Sequence, residues 1–408
     1  MVRSSCRESS EQRAAGRSVN LRRIAFFTST RAEYGLLRPI MAEVASRKSL
    51  TLQVIVSGTH LSDAHGATWQ EIVADGFPIN ERVEMPITTD DAQGVARSAA
   101  QVLSGVAMAL ARLKPDVLLL LGDRYELLAA AQAAVLSRIP IAHIHGGEAT
   151  EGAIDESIRH AITKLAHWHF AAAEAYAHRI RQMGEAPTHV WNVGAPAMDN
   201  IAELFPVTKE ELESFLGIQL RPPTFLVTYH PVTLKNDSGL PAIKALLTAL
   251  DAHGGTIVIT GSNADPGADA VRACLLAFAK QRSNRVTLIE SLGSRRYLSL
   301  MRHADVVVGN SSSGLLEAPA IGVPTVDIGP RQRGRLRAAS VLNCGESLAE
   351  ISRALKVALS EDHRTLAARC ESPYGQPGAA RRIIDQLETI DLTLRAKPFV
   401  DCRCTTGD

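Results

Sequence analysis

The densest gathering of proton-handling side chains lies between Ile139 and Phe170, in IPIAHIHGGEATEGAIDESIRHAITKLAHWHF. Five histidines (His143, His145, His160, His167 and His169) share this segment with Glu148, Asp155 and Arg159. An apolar strand runs into the Gly146–Gly147 pair, a carboxylate-bearing loop follows, and a helix starts near Asp155. Polar groups are costly at the end of a buried strand unless they find partners. Their concentration here points to acid–base chemistry. A metal site is the weaker reading, because the HEXXH spacing is missing and His143 and His145 alternate to opposite faces of a strand. Asp155, Arg159 and Ile162 share one helix face, where Asp155–Arg159 alone reads as an i,i+4 ion pair. His160 and Lys164 mark a second face. His167 and His169 flank Trp168 in the next strand and read as packed or solvated.

Other strand ends carry further candidates. Thr28-Ser29-Thr30-Arg31 precedes a helix, which suits either a capping turn or an anion held by helix N–H groups and the Arg31 guanidinium. Asp123 follows the apolar run Val117–Leu121, either as a helix N-cap or as a cleft carboxylate. No GxGxxG fingerprint accompanies it, so nothing supports a dinucleotide. In the second half, Thr228-Tyr229-His230 and Gly261-Ser262-Asn263 each close a strand. Gly309-Asn310-Ser311-Ser312-Ser313-Gly314 runs from a strand into a helix bearing Glu317, a pattern expected to cradle phosphate. Arg331, Arg333, Arg335 and Arg337 follow another strand; one or two are expected to face phosphates and the rest to be solvated.

These groups need a scaffold that brings strand ends together. Apolar strands alternate with helical patterns along the 408 residues, which predicts parallel sheets covered on both faces. The fold class read from this is α/β, two Rossmann-like doubly wound domains facing a cleft, with ligands beyond the carboxyl ends of the strands. The expected division is a disordered extension over 1–20, an acid/base domain over 21–204, a phosphate-binding domain over 205–380, and a C-terminal helix and tail over 381–408. Thr208 and Glu211 predict a capped helix just after the hinge at Phe205. A net charge of +1 argues against nucleic-acid or membrane-surface partners. The N-terminal 20 residues have no apolar core and do not read as a secretory signal, and no run long enough to span a membrane is read, so the cytoplasm is expected. The six cysteines form no CxxC pair and read as scattered thiols.

Together, TSTRAEYG, GDRYE, HIHGGEATEGAIDESIRHAITKL, YHPVT, GSNADPG, GNSSSGLLE and GPRQRGRLRAAS resemble the hydrolysing UDP-N-acetylglucosamine 2-epimerases of bacterial sialic-acid synthesis. The resemblance runs from about Arg23 to the C-terminus and implies the GT-B arrangement of two Rossmann-like domains. It implies that UDP-N-acetylglucosamine and water give UDP and N-acetylmannosamine through a 2-acetamidoglucal, with no NAD, no catalytic metal and no other cofactor. It implies a homodimer or homotetramer. By the same resemblance Asp123 and Asp155 match acid–base carboxylates and Arg159 a residue near the sugar. His230, Ser311 and Ser312 match phosphate contacts, Glu317 a ribose-binding carboxylate, and Arg31, Asn263, Tyr297 and Arg331 the nucleotide lining. The chain departs from the pattern at His145, where some members carry a catalytic Glu, so either His145 or Glu148 takes that role. Rival readings are the same reaction on a UDP-2,4-diacetamido-trideoxyhexose of a legionaminic-acid-type pathway, a non-hydrolysing epimerase, a GT-B glycosyltransferase and a silent UDP-sugar sensor.

Overall fold

The computed structural model describes residues 21–86, 92–151, 154–230, 239–261, 268–394 and 396–401. Among them, two parallel sheets account for the strands. The first holds β1 (Arg22–Thr28), β2 (Leu50–Ser57), β3 (Glu81–Val83), β4 (Val117–Leu121), β5 (Ile141–Ile144), β6 (Trp168–Ala171) and β7 (Val190–Asn192), in the order β3-β2-β1-β4-β5-β6-β7. The second holds β8 (Thr224–Thr228), β9 (Thr256–Thr260), β10 (Val286–Ile289), β11 (Val306–Gly309), β12 (Thr325–Ile328) and β13 (Val341–Cys344), in the order β10-β9-β8-β11-β12-β13. Both wind outward from a central pair, so each has a switch point, between β1 and β4 in one and β8 and β11 in the other. Loops leave these points in opposite directions and open a crevice there.

The central strands are apolar because both of their faces are covered. Every residue of β4, VLLLL, is buried. The helix Tyr125–Leu136 beside it is Ala-rich, and Ala129, Ala130, Ala131, Ala133 and Ala134 are all buried. Small side chains let it nest between the helices Ala92–Leu113 and Asp155–Leu165. Ala92–Leu113 is long and apolar enough for a membrane span by length and composition. Its Val102, Val106, Ala109 and Leu110 instead join the core under the first sheet. The expected start at Thr208 carries a full capping box with Glu211.

The C-terminal helix Ala379–Thr389 returns to the first sheet, where Ile383, Ile384 and Leu387 pack with Ile24, Leu37 and Ile40. Its N-terminal N–H groups are capped by Asp199, with Ala380 N donating to Oδ2 at 2.7 Å. Arg22 donates to the carbonyls of Leu387 and Ile390 at the other end, at 2.9 and 2.7 Å.

Candidate functional site

At the first switch point, β1 ends in Ser29 and β4 in the Gly122-Asp123-Arg124 turn. Ser29 Oγ lies 3.0 Å from both Glu33 Oε2 and Glu126 Oε1, and Arg124 Nε donates to Glu126 at 2.6 Å. Burial, then the Glu126 charge, push the Glu33 carboxyl up to about 7. Neither carboxylate stood out in the sequence, since a Glu on a first helical turn reads as a dipole partner.

Asp123 does not cap its helix, whose N-cap is Arg124. It ion-pairs with Arg159, which is 1% exposed. Arg159 also donates to Glu156 and to the Glu148 carbonyl, both at 2.9 Å, and to Thr150 Oγ1 at 2.7 Å. The i,i+4 pairing of Arg159 with Asp155 therefore gives way to a buried hub that ties the β4 and β5 loops together. Asp155 lies near Asp123; burial, then that neighbouring charge, raise its carboxyl to about 6. It holds a proton well above the usual range for Asp.

The histidines separate by environment. His143 is buried in β5 and bonds the Gly122 carbonyl at 2.8 Å, which holds the Asp123 turn. His169 bonds Glu185 at 3.0 Å inside the core. His160 pairs with Glu156 at 3.1 Å. Among the described residues no group of three His, Cys, Asp or Glu could hold a metal ion. His145 breaks the strand alternation expected of it: β5 ends at Ile144, and His145 takes φ +64°. For a non-glycine residue that conformation costs energy and recurs at functional sites. Its Nδ1 bonds Glu148, while its Nε2 is buried and without a hydrogen-bond partner. Burial opposes ionisation of Glu148, yet its partners His145 and Arg335 hold its carboxyl down at about 2. Gly147 makes this loop feasible: at φ +75°, a Cβ there would meet Tyr176 O at 2.4 Å.

The second switch point gathers the other candidates. Asn310, at the end of β11, accepts from His230 N at 2.7 Å and donates to His230 O at 2.8 Å. Its own carbonyl receives Arg331 Nη1 at 3.1 Å and Gln332 Nε2 at 2.8 Å. Asn310 lay within a noted motif, but its organising role appears only when β8, β11 and the loop after β12 meet. Burial, then Arg331, lower His230 to about 3, so the ring is neutral. Ser311 and Ser312 lead into the helix Ser313–Ile321, and Tyr297 OH lies 2.5 Å from Ser313 Oγ. Glu317 Oε2 is buried with no partner, and burial raises this carboxyl to about 7. Arg31 bonds Glu71 at 3.1 Å and Ser291 across the cleft. It borders a cavity of about 490 Å³ between the two domains, lined also by Leu292, Gly293 and Arg295. Asn263 and residues 231–233 lie outside the described residues.

The arginine run is less solvated than expected. Arg333 is exposed, but Arg337 pairs with buried Asp327 at 3.0 Å and Arg335 with Glu148 at 3.5 Å.

Residues 42–388 match the family described as UDP-N-acetylglucosamine 2-epimerase. The chain belongs to that family. It is 38% identical to a Campylobacter jejuni protein named GDP/UDP-N,N'-diacetylbacillosamine 2-epimerase (hydrolyzing), over 80% of this chain and 85% of that one. It is 34% identical to the polysialic acid biosynthesis protein P7 of Escherichia coli, over 95% of this chain and all of that one. In fold it is similar to the crystal structure of a Neisseria meningitidis UDP-GlcNAc 2-epimerase, with a TM-score of 0.77, 21% identity, and coverage of 90% of this chain and 100% of that one. The family's two-domain parallel-sheet architecture is thus the one that brings these strand ends together.

Proposed function

We propose that this family member is a hydrolysing 2-epimerase that acts on a UDP-linked 2-acetamido sugar. The observation that carries the reading is a pair of distinct acid–base groups in the stretch that leaves β5 and enters the next helix. One is an imidazole with a buried, unpartnered Nε2; the other is a carboxyl that keeps its proton to about pH 6. Inversion at C2 needs one group to remove a proton and another to return one to the opposite face. His145 Nε2 takes the C2 proton, and the electrons of that bond form the C1–C2 double bond. The C1–O bond breaks, and UDP leaves with its electron pair. Asp155 then delivers a proton to C2, water adds hydroxyl to C1, and the water proton passes to the carboxylate left behind. Arg159 and Asp123 hold the sugar end. His230, Ser311, Ser312, Arg331 and helix N–H groups receive the charge that develops on UDP. Glu317 and Tyr297, with Arg31, line the nucleoside end.

The 38% identity to the Campylobacter jejuni protein supports a 2,4-diacetamido-trideoxyhexose as the preferred sugar. UDP-N-acetylglucosamine, expected from the motifs, is the second reading and is supported by the description of the family that matches residues 42–388. The same reading carries a cytoplasmic homodimer or homotetramer. Incubation with each UDP-sugar in D2O, followed by NMR, tests it. Free 2-epimerised sugar deuterated at C2, together with UDP, is expected, with faster turnover of the diacetamido substrate. Accumulation of an epimerised UDP-sugar would overturn hydrolysis, and dependence on a sugar acceptor would indicate a transferase.

A further inference from the structure

The loop 331–337 touches both ends of the cleft. At its start, Arg331 and Gln332 donate to the Asn310 carbonyl, which belongs to the turn that also holds His230. At its end it crosses to the first domain. Leu336 N donates to Tyr176 OH at 2.9 Å, and Tyr374 OH donates to Leu336 O at 3.0 Å. Between these anchors, Glu151 N donates to Arg333 O at 3.3 Å. A Cβ on Gly334 would lie 2.8 Å from that of Ala149, so the two loops are in tight contact.

The consequence falls on Glu148. Its Oε1 bonds His145 Nδ1 and its Oε2 faces Arg335 Nη2 at 3.5 Å, with all three side chains largely shielded from solvent. A carboxylate bonded at one oxygen swivels about its bond; an ion pair at the other oxygen restricts that rotation and with it the tilt of the imidazole. An ionised Glu148 also requires Nδ1 to carry the ring proton when the imidazole is neutral, which leaves the buried, unpartnered Nε2 as the basic nitrogen. The other charged or titratable groups bearing on this cluster are Asp123, Arg159, Tyr176, Tyr374 and, from the second domain, Glu317.

We propose that Arg335 is a positioning residue that couples nucleotide binding to the orientation of the His145–Glu148 base. The inference rests on the epimerase reading and deepens it. Seating UDP against Arg331 and the His230–Asn310 turn settles the start of the loop, and the same loop brings Arg335 onto Glu148. Bound UDP thereby steadies the base through the loop, and its departure frees the segment that carries Arg335.

The test uses the full-length protein with 15N-labelled histidine and UDP as the probe. The His145 resonance is assigned by its loss in His145→Gln. On saturation with UDP, the wild-type protein should show His145 fixed as the Nδ1–H tautomer, with slowed exchange of that proton. In Arg335→Met this response should vanish, with UDP affinity within about threefold of wild type and kcat down by about tenfold to a hundredfold. Arg335→Lys should recover part of the kcat. An Arg335→Met enzyme with unchanged kcat would overturn the proposal. So would one whose UDP affinity falls more than about tenfold with the His145 response intact, because Arg335 would then be a phosphate ligand. If Arg335→Met fails to fold, a wild-type His145 signal indifferent to UDP would overturn the coupling, and a UDP-dependent one would uphold it. If the wild-type protein turns over no UDP-sugar, the epimerase reading fails, while the histidine signal still decides the coupling.

Discussion

At the residue scale, environment decides what each ionisable group does. Asp123 and Asp155 are both carboxylates beside Arg159, yet Arg159 ion-pairs with Asp123, and Asp155 is left to burial and to its neighbour's charge. A carboxyl raised from 3.8 to about 6 binds more protons folded than unfolded across that window, so its charged form costs stability as pH rises through it. Asp155→Asn should therefore match wild type in stability near pH 3.5. Above pH 6 it should be more stable by about 1–3 kcal/mol, with turnover reduced by about two orders of magnitude or more. Unfolding midpoints and kcat from pH 3.5 to 8 check both, and a stability gap independent of pH would contradict the assignment. Arg159 has the opposite character. Arg159→Met strands Asp123 and Glu156 and removes donors from Thr150 Oγ1 and the Glu148 carbonyl, so a loss of about 3 kcal/mol or more is expected in urea unfolding. A change below about 1 kcal/mol would mean that the hub is not structural.

At the scale of elements, the positions that shape the site are those where the backbone departs from a regular strand or helix. The β5 loop turns at His145 and again at Gly147, and these two residues with positive φ aim the imidazole back toward Glu148. Gly147→Ala adds about 1 kcal/mol of backbone strain and drives a Cβ into Tyr176 O, so the loop must move. A drop in kcat of about tenfold, with a lower melting temperature, is the expected result in steady-state and calorimetric measurements. An unchanged kcat would show that the loop's exact path does not matter to the chemistry. The central strands and longer helices were legible in the sequence because they are continuously apolar or periodic. β3 and β13 were not read, because short strands at the sheet edges are only partly buried and carry no apolar run.

For the whole molecule, the first and the last described stretches both pack against the first domain. Beyond the last helix, Lys397 donates to the Ala166 carbonyl at 2.6 Å and to Glu185 at 2.7 Å. Glu185 also receives Lys164 and His169, and against the cost of burial these partners hold its carboxyl at about 2. Stability from this lowered group is present above its unfolded value of 4.5 and is lost as pH falls toward 2. Lys397→Met should lower the melting temperature at neutral pH by about 2–4 °C, and the difference should shrink on acidification. Equal melting temperatures at pH 7 would show that the tail contributes nothing.

The sequence by itself determined the α/β class, the alternation that produces parallel sheets, and the strand ends at which polar clusters occur. Those features are local, set by hydrophobic periodicity, turn residues and caps within short windows. Tertiary structure alone decided the partners. Arg159 reaches Asp123 over 36 residues of chain, and Asp199 caps a helix about 180 residues away. The arginines after β12 divide in the same way: Arg333 stays in solvent while Arg335 is shielded against Glu148 of the other domain. Spacing distinguishes none of these, because a charged side chain's partner depends on which loops the sheet order brings together and on which of them burial leaves without water.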